Sequence, residues 1–164
     1  MKNIKAIALD VDGVLTDSGF WWGPNGEEWK RFSFTDVMGV SLAKKSGLTV
    51  ALISGEDSPL VDRYAAKMAI VDVEKNCKDK ARALRSFAEQ WGLALNEICF
   101  MGNDVNDLAA MEIAGLSAAP ADAVPAALKR AAFVAGKTGG NGAVRELVDA
   151  ILLARKTEVE THST

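Results

Sequence analysis

Short apolar runs rich in β-branched residues recur along this chain, separated by stretches whose apolar residues repeat with helical period. That alternation restricts the fold more than any other feature, because it is the pattern of an α/β domain built on a parallel sheet. The first run, Ile4 to Leu9, is nearly continuous in apolar character, as a strand covered on both faces requires. Further strands are expected at Leu48 to Ile53, Ile70 to Val73, Ile98 to Met101, Leu116 to Ala119 and Ala132 to Val134. Helices are expected between them. Asp36 to Ser46 closes at Gly47, Ser58-Pro59 starts a helix that runs to Met68, and Asp79 to Trp91 closes at Gly92. Three more cover Asp104 to Ala114, Ala123 to Ala131 and Ala143 to Arg155.

One segment departs from the alternation. Gly19 to Phe34 carries Phe20, Trp21, Trp22, Trp29, Phe32 and Phe34 around the turn Gly23-Pro24-Asn25-Gly26, which predicts a β-hairpin. Placed directly after strand one, the hairpin projects from the carboxyl end of the sheet, where open α/β folds bind ligands.

Strand one runs into Asp10-Val11-Asp12-Gly13. Two carboxylates two residues apart repel each other unless a cation or proton intervenes, and an oxygen-rich cluster of this kind suits Mg²⁺. Standing alone, the motif is equally well read as a strand terminator followed by a turn. Three other elements bear on the choice. Ile53-Ser54-Gly55-Glu56 ends the second long strand with a hydroxyl and a flexible N–H, the groups that hold a phosphoryl oxygen. Lys80 opens a helix and can reach the same edge as a counter-charge. Met101-Gly102-Asn103-Asp104-Val105-Asn106-Asp107 puts a second polar and acidic cluster at another strand end, where helix capping is the competing role.

Taken in order, Asp10-x-Asp12-Gly13, Ser54, Lys80 and Gly102-Asn103-Asp104-x-x-Asp107 resemble the four motifs of the haloacid dehalogenase superfamily of phosphohydrolases. The resemblance implies a Rossmann-like fold, a central parallel sheet with helices on both faces. It also implies Asp10 as nucleophile and Asp12 as general acid and base. Ser54, Gly55 and Lys80 would bind phosphate. Mg²⁺ would be held by Asp10, the Asp12 carbonyl and Asn103 or Asp104, with Asp107 behind them. Asn103 stands where many members carry aspartate, a neutral ligand in place of a charged one.

Length now matters. In 164 residues there is room for one domain, 1–155, with a hairpin flap over about 17–34 and a polar tail over 156–164 that holds His162. No cap domain fits after the first motif or between the second and third. The chain therefore resembles the capless branch that acts on phosphates of eight- and nine-carbon 3-deoxy-2-ulosonates, as does Gly139-Gly140-Asn141-Gly142-Ala143-Val144-Arg145-Glu146. That branch implies a homotetramer, with the aromatic hairpin as the expected contact.

For the sugar acid itself, Thr35, Asp36, Glu56, Arg63, Lys67 and Arg145 are the candidate contacts, with Lys137 as a further cation. Glu56 in place of a basic residue after Ser54-Gly55 leans toward a nine-carbon acid, with Lys67 close to it. The formal charge of −3 gives no general attraction for nucleic acid or anionic membrane. The two cysteines, Cys77 and Cys99, are expected to be reduced and packed, and the protein to be cytoplasmic. Two other classes compete: a phosphoacceptor receiver domain, with Val71-Asp72-Val73-Glu74 as its acceptor strand, and a catalytically silent binding protein.

Overall fold

In a computed structural model that describes residues 1–161, six parallel strands form the central sheet. In chain order these are β1 (Ala6–Leu9), β4 (Thr49–Ile53), β5 (Asp72–Glu74), β6 (Ile98–Met101), β7 (Leu116–Ala119) and β8 (Phe133–Val134). The intervening β2 (Trp21–Trp22) and β3 (Glu28–Trp29) pair antiparallel as the separate hairpin, Trp21 opposite Trp29. The sheet order is β5-β4-β1-β6-β7-β8, so the chain moves outward from β1 in one direction and then in the other. Leu9 pairs with both Leu52 and Met101, and the crevice at this reversal opens beside Asp10.

Side-chain alternation in β1 sets the two layers. Ile7 and Leu9 face a core shared with α1 (Phe34–Lys45), α2 (Pro59–Met68) and α6 (Ala143–Thr161). Ala6 and Ala8 face the other core, with α3 (Lys80–Trp91), α4 (Leu108–Ile113) and α5 (Pro125–Arg130). That second face mixes small residues, Ala51 and Ala119 among them, with the large Phe100, Ile53 and Ile98.

Helix ends follow local chemistry. Ser58 accepts from the Leu60 N–H with Pro59 at the first position, and Asp79 caps α3, which ends at Gly92 in the left-handed region. α1 starts two residues before the expected Asp36 because the Ser33 hydroxyl accepts from the Thr35 N–H. The expected helix Asp104 to Ala114 divides into a 3-10 turn, Val105–Asp107, and α4, because the Asp107 side chain folds back onto the main chain of Asn103 and Asp104. α6 runs through Thr161 rather than stopping at Arg155, since no glycine or proline interrupts it, so 156–161 is helix and not irregular tail. His162 lies outside the described residues. Among the described residues no helix is long and apolar enough to cross a membrane. Cys77 and Cys99 are free and buried, as expected.

α1 and α6 are locked together by a side chain that the sequence assigned elsewhere. Asp36, expected at the substrate, is 1 % exposed and accepts from the Gly142 N–H (3.0 Å) and the Arg145 N–H (3.1 Å). It caps the start of α6 from a neighbouring helix, where the unpaired N–H groups and helix dipole favour a carboxylate. Burial nonetheless pushes the Asp36 carboxyl above its ordinary range, opposed by those N–H groups. Replacing Asp36 with alanine leaves both N–H groups buried without an acceptor. Urea unfolding of Asp36→Ala should show a loss of about 2–4 kcal/mol, and an unchanged midpoint would refute the capping role.

Candidate active site

The carboxyl ends of β1, β4 and β6 deliver the expected residues to one cleft. It encloses about 220 Å³ and is lined by Asp10, Asp12, Ser18, Gly55, Glu56, Asn103, Asp104 and Asn106. Gly13 makes the turn possible: its φ is +87°, and a Cβ there would stand 2.1 Å from the Asn103 amide nitrogen. The glycine-rich segment presses on this turn from outside. A Cβ on Gly139 would meet the Gly13 carbonyl oxygen at 2.0 Å, and the Gly140 N–H donates to the Val14 carbonyl.

Beneath the cleft lies a buried ionic cluster. Lys80 Nζ stands 2.8 Å from Asp10 Oδ1 and 2.6 Å from Asp107 Oδ1, and all three side chains are almost fully buried. Asp107 Oδ2 also accepts from the N–H groups of Asn103 (2.8 Å) and Asp104 (3.0 Å). One carboxylate thus fixes both the lysine and the loop after β6. Burial, and then the neighbouring Asp107 charge, push Asp10 up to about 7, against Lys80 and the Val11 N–H. For Lys80, burial acts to lower the pKa, but Asp10 and Asp107 outweigh it and hold the ammonium above the usual lysine value.

The donor set at the mouth of the cleft suits a hard cation. One atom of the Asn103 amide lies 2.9 Å from the Asp12 carbonyl oxygen and 3.3 Å from Asp10 Oδ2. As nitrogen it donates to both; as oxygen it completes three acceptors facing one another, which a cation reconciles. An octahedral Mg²⁺ with oxygens at about 2.0–2.1 Å sets adjacent ligands about 2.9–3.0 Å apart, close to this spacing. Among the described residues no three His, Cys, Asp or Glu side chains cluster as metal ligands. The set here is instead a carboxylate, a main-chain carbonyl and an amide. Asp104 lines the cleft, but its Oδ1 accepts from the Val105 N–H at 2.6 Å as a cap, which favours Asn103 as the ligand.

Other expected contacts divide. Ser54 is fully buried beneath the cleft and accepts from the Glu56 N–H. Glu56 lines both the cleft and an adjoining pocket that includes Arg63. Lys67 is not with Glu56: it lines a different, apolar pocket, with Nζ 5.5 Å from the Phe34 ring centre. Arg145 is turned to Asp149 one helical turn away (2.8 Å), and Thr35 is exposed on the first turn of α1. Like Asp36, neither lines the cleft, because the start of α1 faces the glycine-rich segment. Lys137 meets the Glu146 carboxylate through its N–H. Asp72 on the edge strand β5 accepts from Gln90 rather than opening to the cleft, which removes the basis for a receiver domain.

Three residues in this region carried no signal in the sequence. Ser18 and Asn106 line the cleft. Lys30, just after β3, reaches Asp12 Oδ1 at 2.9 Å. Burial acts to lower the Lys30 pKa, but Asp12 and Glu28 more than compensate, so it stays above the ordinary lysine value. Only the folded hairpin brings Lys30 there.

Residues 26–147 match the haloacid dehalogenase-like hydrolase family. The 3-deoxy-D-manno-octulosonate 8-phosphate phosphatase of Salmonella typhi is 40% identical over 154 residues, 94% of this chain and 82% of that protein. The phosphatase of the same name from Moraxella catarrhalis, solved with magnesium, phosphate and a KDO molecule, superposes with a TM-score of 0.91 at 34% identity, covering 98% of this chain and 94% of that one. A cobalt-bound form from Haemophilus influenzae gives 0.91 at 35% identity, over 94% and 91%.

The Asp10 shift predicts a pH dependence. Asp10 titrates near 3.8 when unfolded and near 7 when folded. Across that window the folded protein keeps a proton that the unfolded chain has released, so stability falls as pH rises from about 4 to about 7. Denaturation in chelator should show this fall, and Asp10→Asn should flatten it. An equal slope in both proteins would contradict the buried-carboxylate account.

Proposed function

The chain belongs to the haloacid dehalogenase-like hydrolase family, and from that membership we propose a Mg²⁺-dependent phosphomonoesterase acting on the phosphate of a 3-deoxy-2-ulosonate sugar acid. The observation that carries the reading is the meeting of Asp10 with Lys80 on one oxygen and with the Asn103–Asp12 oxygen set on the other.

Asp10 is the nucleophile. One of its oxygens bonds to phosphorus as the bond from phosphorus to the leaving oxygen breaks, giving an aspartyl-phosphate. Asp12 gives its proton to the departing alkoxide. It then takes a proton from the water whose oxygen displaces Asp10 from phosphorus, which releases phosphate and restores both carboxyl groups. Ser54, the Gly55 N–H and Lys80 hold the transferring phosphoryl group. When bound by Asp10, the Asp12 carbonyl and Asn103, Mg²⁺ supplies positive charge between carboxylate and phosphate. Asp107 holds Lys80 and the Asn103 loop in register.

The Salmonella typhi and Moraxella catarrhalis relatives are named for an eight-carbon substrate, 3-deoxy-D-manno-octulosonate 8-phosphate. Glu56 favours a second reading, a nine-carbon acid 9-phosphate, because a carboxylate beside the cleft accepts from sugar hydroxyls and repels an acid end. Arg63 lines the adjoining pocket with Glu56 and is the candidate cation for the substrate carboxylate. Two free buried cysteines suit a reducing compartment, and we place the enzyme in the cytoplasm.

Phosphate release with Mg²⁺ from both acid phosphates and simple sugar phosphates tests the assignment. Asp10→Ala should fall by at least about 10⁴-fold in kcat, since the covalent step has no other nucleophile. Equal rates in the two proteins would refute the mechanism, and activity confined to aryl phosphates would refute the substrate class.

The hairpin supports self-association. Trp21, Trp22 and Trp29 are 54 %, 73 % and 52 % exposed, an aromatic surface of the kind that subunit contacts cover. We assign it to the contact of a homotetramer. Sedimentation velocity should give a four-subunit species for the wild type and smaller species for a Trp21→Glu/Trp22→Glu variant. A monomeric wild type would refute this.

A further inference from the structure

Lys30 lies outside every motif that carries the family assignment, yet it is the hairpin's direct link to the reacting groups. Its side chain is only 6 % exposed, with Nζ 2.9 Å from Asp12 Oδ1 and 3.5 Å from Glu28 Oε1. The other Glu28 oxygen accepts from Trp22 Nε1 at 3.1 Å. A polar chain therefore runs from the exposed face of the hairpin, through Glu28 and Lys30, to Asp12.

This burial needs a reason. A lysine on a surface hairpin can keep its ammonium in water along a flexible stem, and withdrawing it is unfavourable unless a carboxylate compensates. Here the compensating groups are Asp12, at the shorter distance, and Glu28. The other Asp12 oxygen, Oδ2, is buried with no hydrogen-bond partner among the described residues. One oxygen of the carboxyl group is thus committed to the hairpin and the other is uncommitted.

We infer that Lys30 is a positioning residue for Asp12, fixing the rotation of its carboxyl group by holding Oδ1 and leaving Oδ2 to carry the proton exchanged with leaving group and water. The inference rests on the acid–base role proposed for Asp12. As the bond from phosphorus to the leaving oxygen breaks, the alkoxide takes the proton from Oδ2. As water attacks the aspartyl-phosphate and the bond from phosphorus to Asp10 breaks, Oδ2 recovers a proton from that water. Lys30 keeps its own protons throughout. A carboxyl group free to rotate would present the transferring oxygen in only a fraction of its conformations, and geometric restriction of this kind acts on kcat more than on binding.

Two leaving groups distinguish positioning from a merely structural role. An alkyl phosphate such as 3-deoxy-octulosonate 8-phosphate departs as an alkoxide that needs a proton, whereas p-nitrophenyl phosphate departs as a stable phenolate that does not. With Mg²⁺ present, Lys30→Met should lower kcat on the alkyl ester by about 10–100-fold with KM little changed, part of the range general acid–base catalysis supplies. Its first-turnover burst of p-nitrophenolate should stay within about threefold of wild type, because Asp10 attack is untouched. Lys30→Arg, which retains the ion pair, should recover most of the alkyl-ester rate. If Lys30→Met does not fold, Lys30→Gln is measured by the same two readouts. Equal losses on both esters, or no loss on either, would overturn the positioning role while leaving the phosphatase reading intact. A wild type inactive on both esters would overturn that reading, and this inference with it.

Discussion

Lys80 between Asp10 and Asp107 is the contact around which the rest of the site is arranged. Two carboxylates and one ammonium are withdrawn from water together, and such a group is tolerated only when its geometry is good and its remaining lone pairs are occupied. Asp107 meets that condition through two main-chain N–H groups, and Asp10 through the Val11 N–H. The three residues come from the end of β1, the first turn of α3 and the 3-10 turn after β6, so the cluster ties three separate chain crossings together. It retains one net negative charge. A divalent cation is the kind of species that balances it, and burial with the neighbouring Asp107 charge is what raises the Asp10 pKa.

What could be read from the sequence was local. Strands buried on both faces have a one-dimensional signature, and helix ends with Ser-Pro or a terminal glycine have a two-residue one, which is why β6, β7 and α2 stand where expected. The motif residues were legible for the same reason: Asp10, Ser54 and Asn103 follow their own strand ends, and Lys80 opens α3 after a capping Asp79. Asp36 was misassigned because its partners, Gly142 and Arg145, are more than a hundred positions away and accept no recognisable spacing. Lys30 was missed because only the pairing of β2 with β3 brings it to Asp12. Lys67 and Arg145 carried the charge expected of ligands, but the helix faces on which they lie point elsewhere. The break before α4 is not apparent in the sequence because Asp107 fits a helix interior as well as the capping role it takes against the N–H groups of Asn103 and Asp104.

The hairpin occupies the place where a larger relative would carry a cap, and it does so with two two-residue strands and one buried lysine. Its outer face is aromatic and its inner end is ionic. Arg31 continues the connection by bonding Asp17 and the Asn141 side chain, which joins the hairpin base to the glycine-rich segment. The exposed tryptophans and the lysine that meets Asp12 thereby share a segment of fewer than twenty residues.

The unequal faces of the sheet have a separate consequence. On the side from which α3 presents Lys80, alanines at 6, 8, 51 and 119 stand among the larger Ile53, Ile98 and Phe100, whereas Ile7, Leu9, Val50 and Leu52 fill the side that supports α1 and α2. Bulkier residues at the alanine positions would lift α3 and carry Lys80 away from Asp10, so that half of the protein has little freedom to drift. The opposite half is packed by aliphatic side chains and can be remodelled by ordinary hydrophobic exchange. In a lineage of such enzymes, the alanine positions beneath α3 should diverge more slowly than the aliphatic positions on the opposite face.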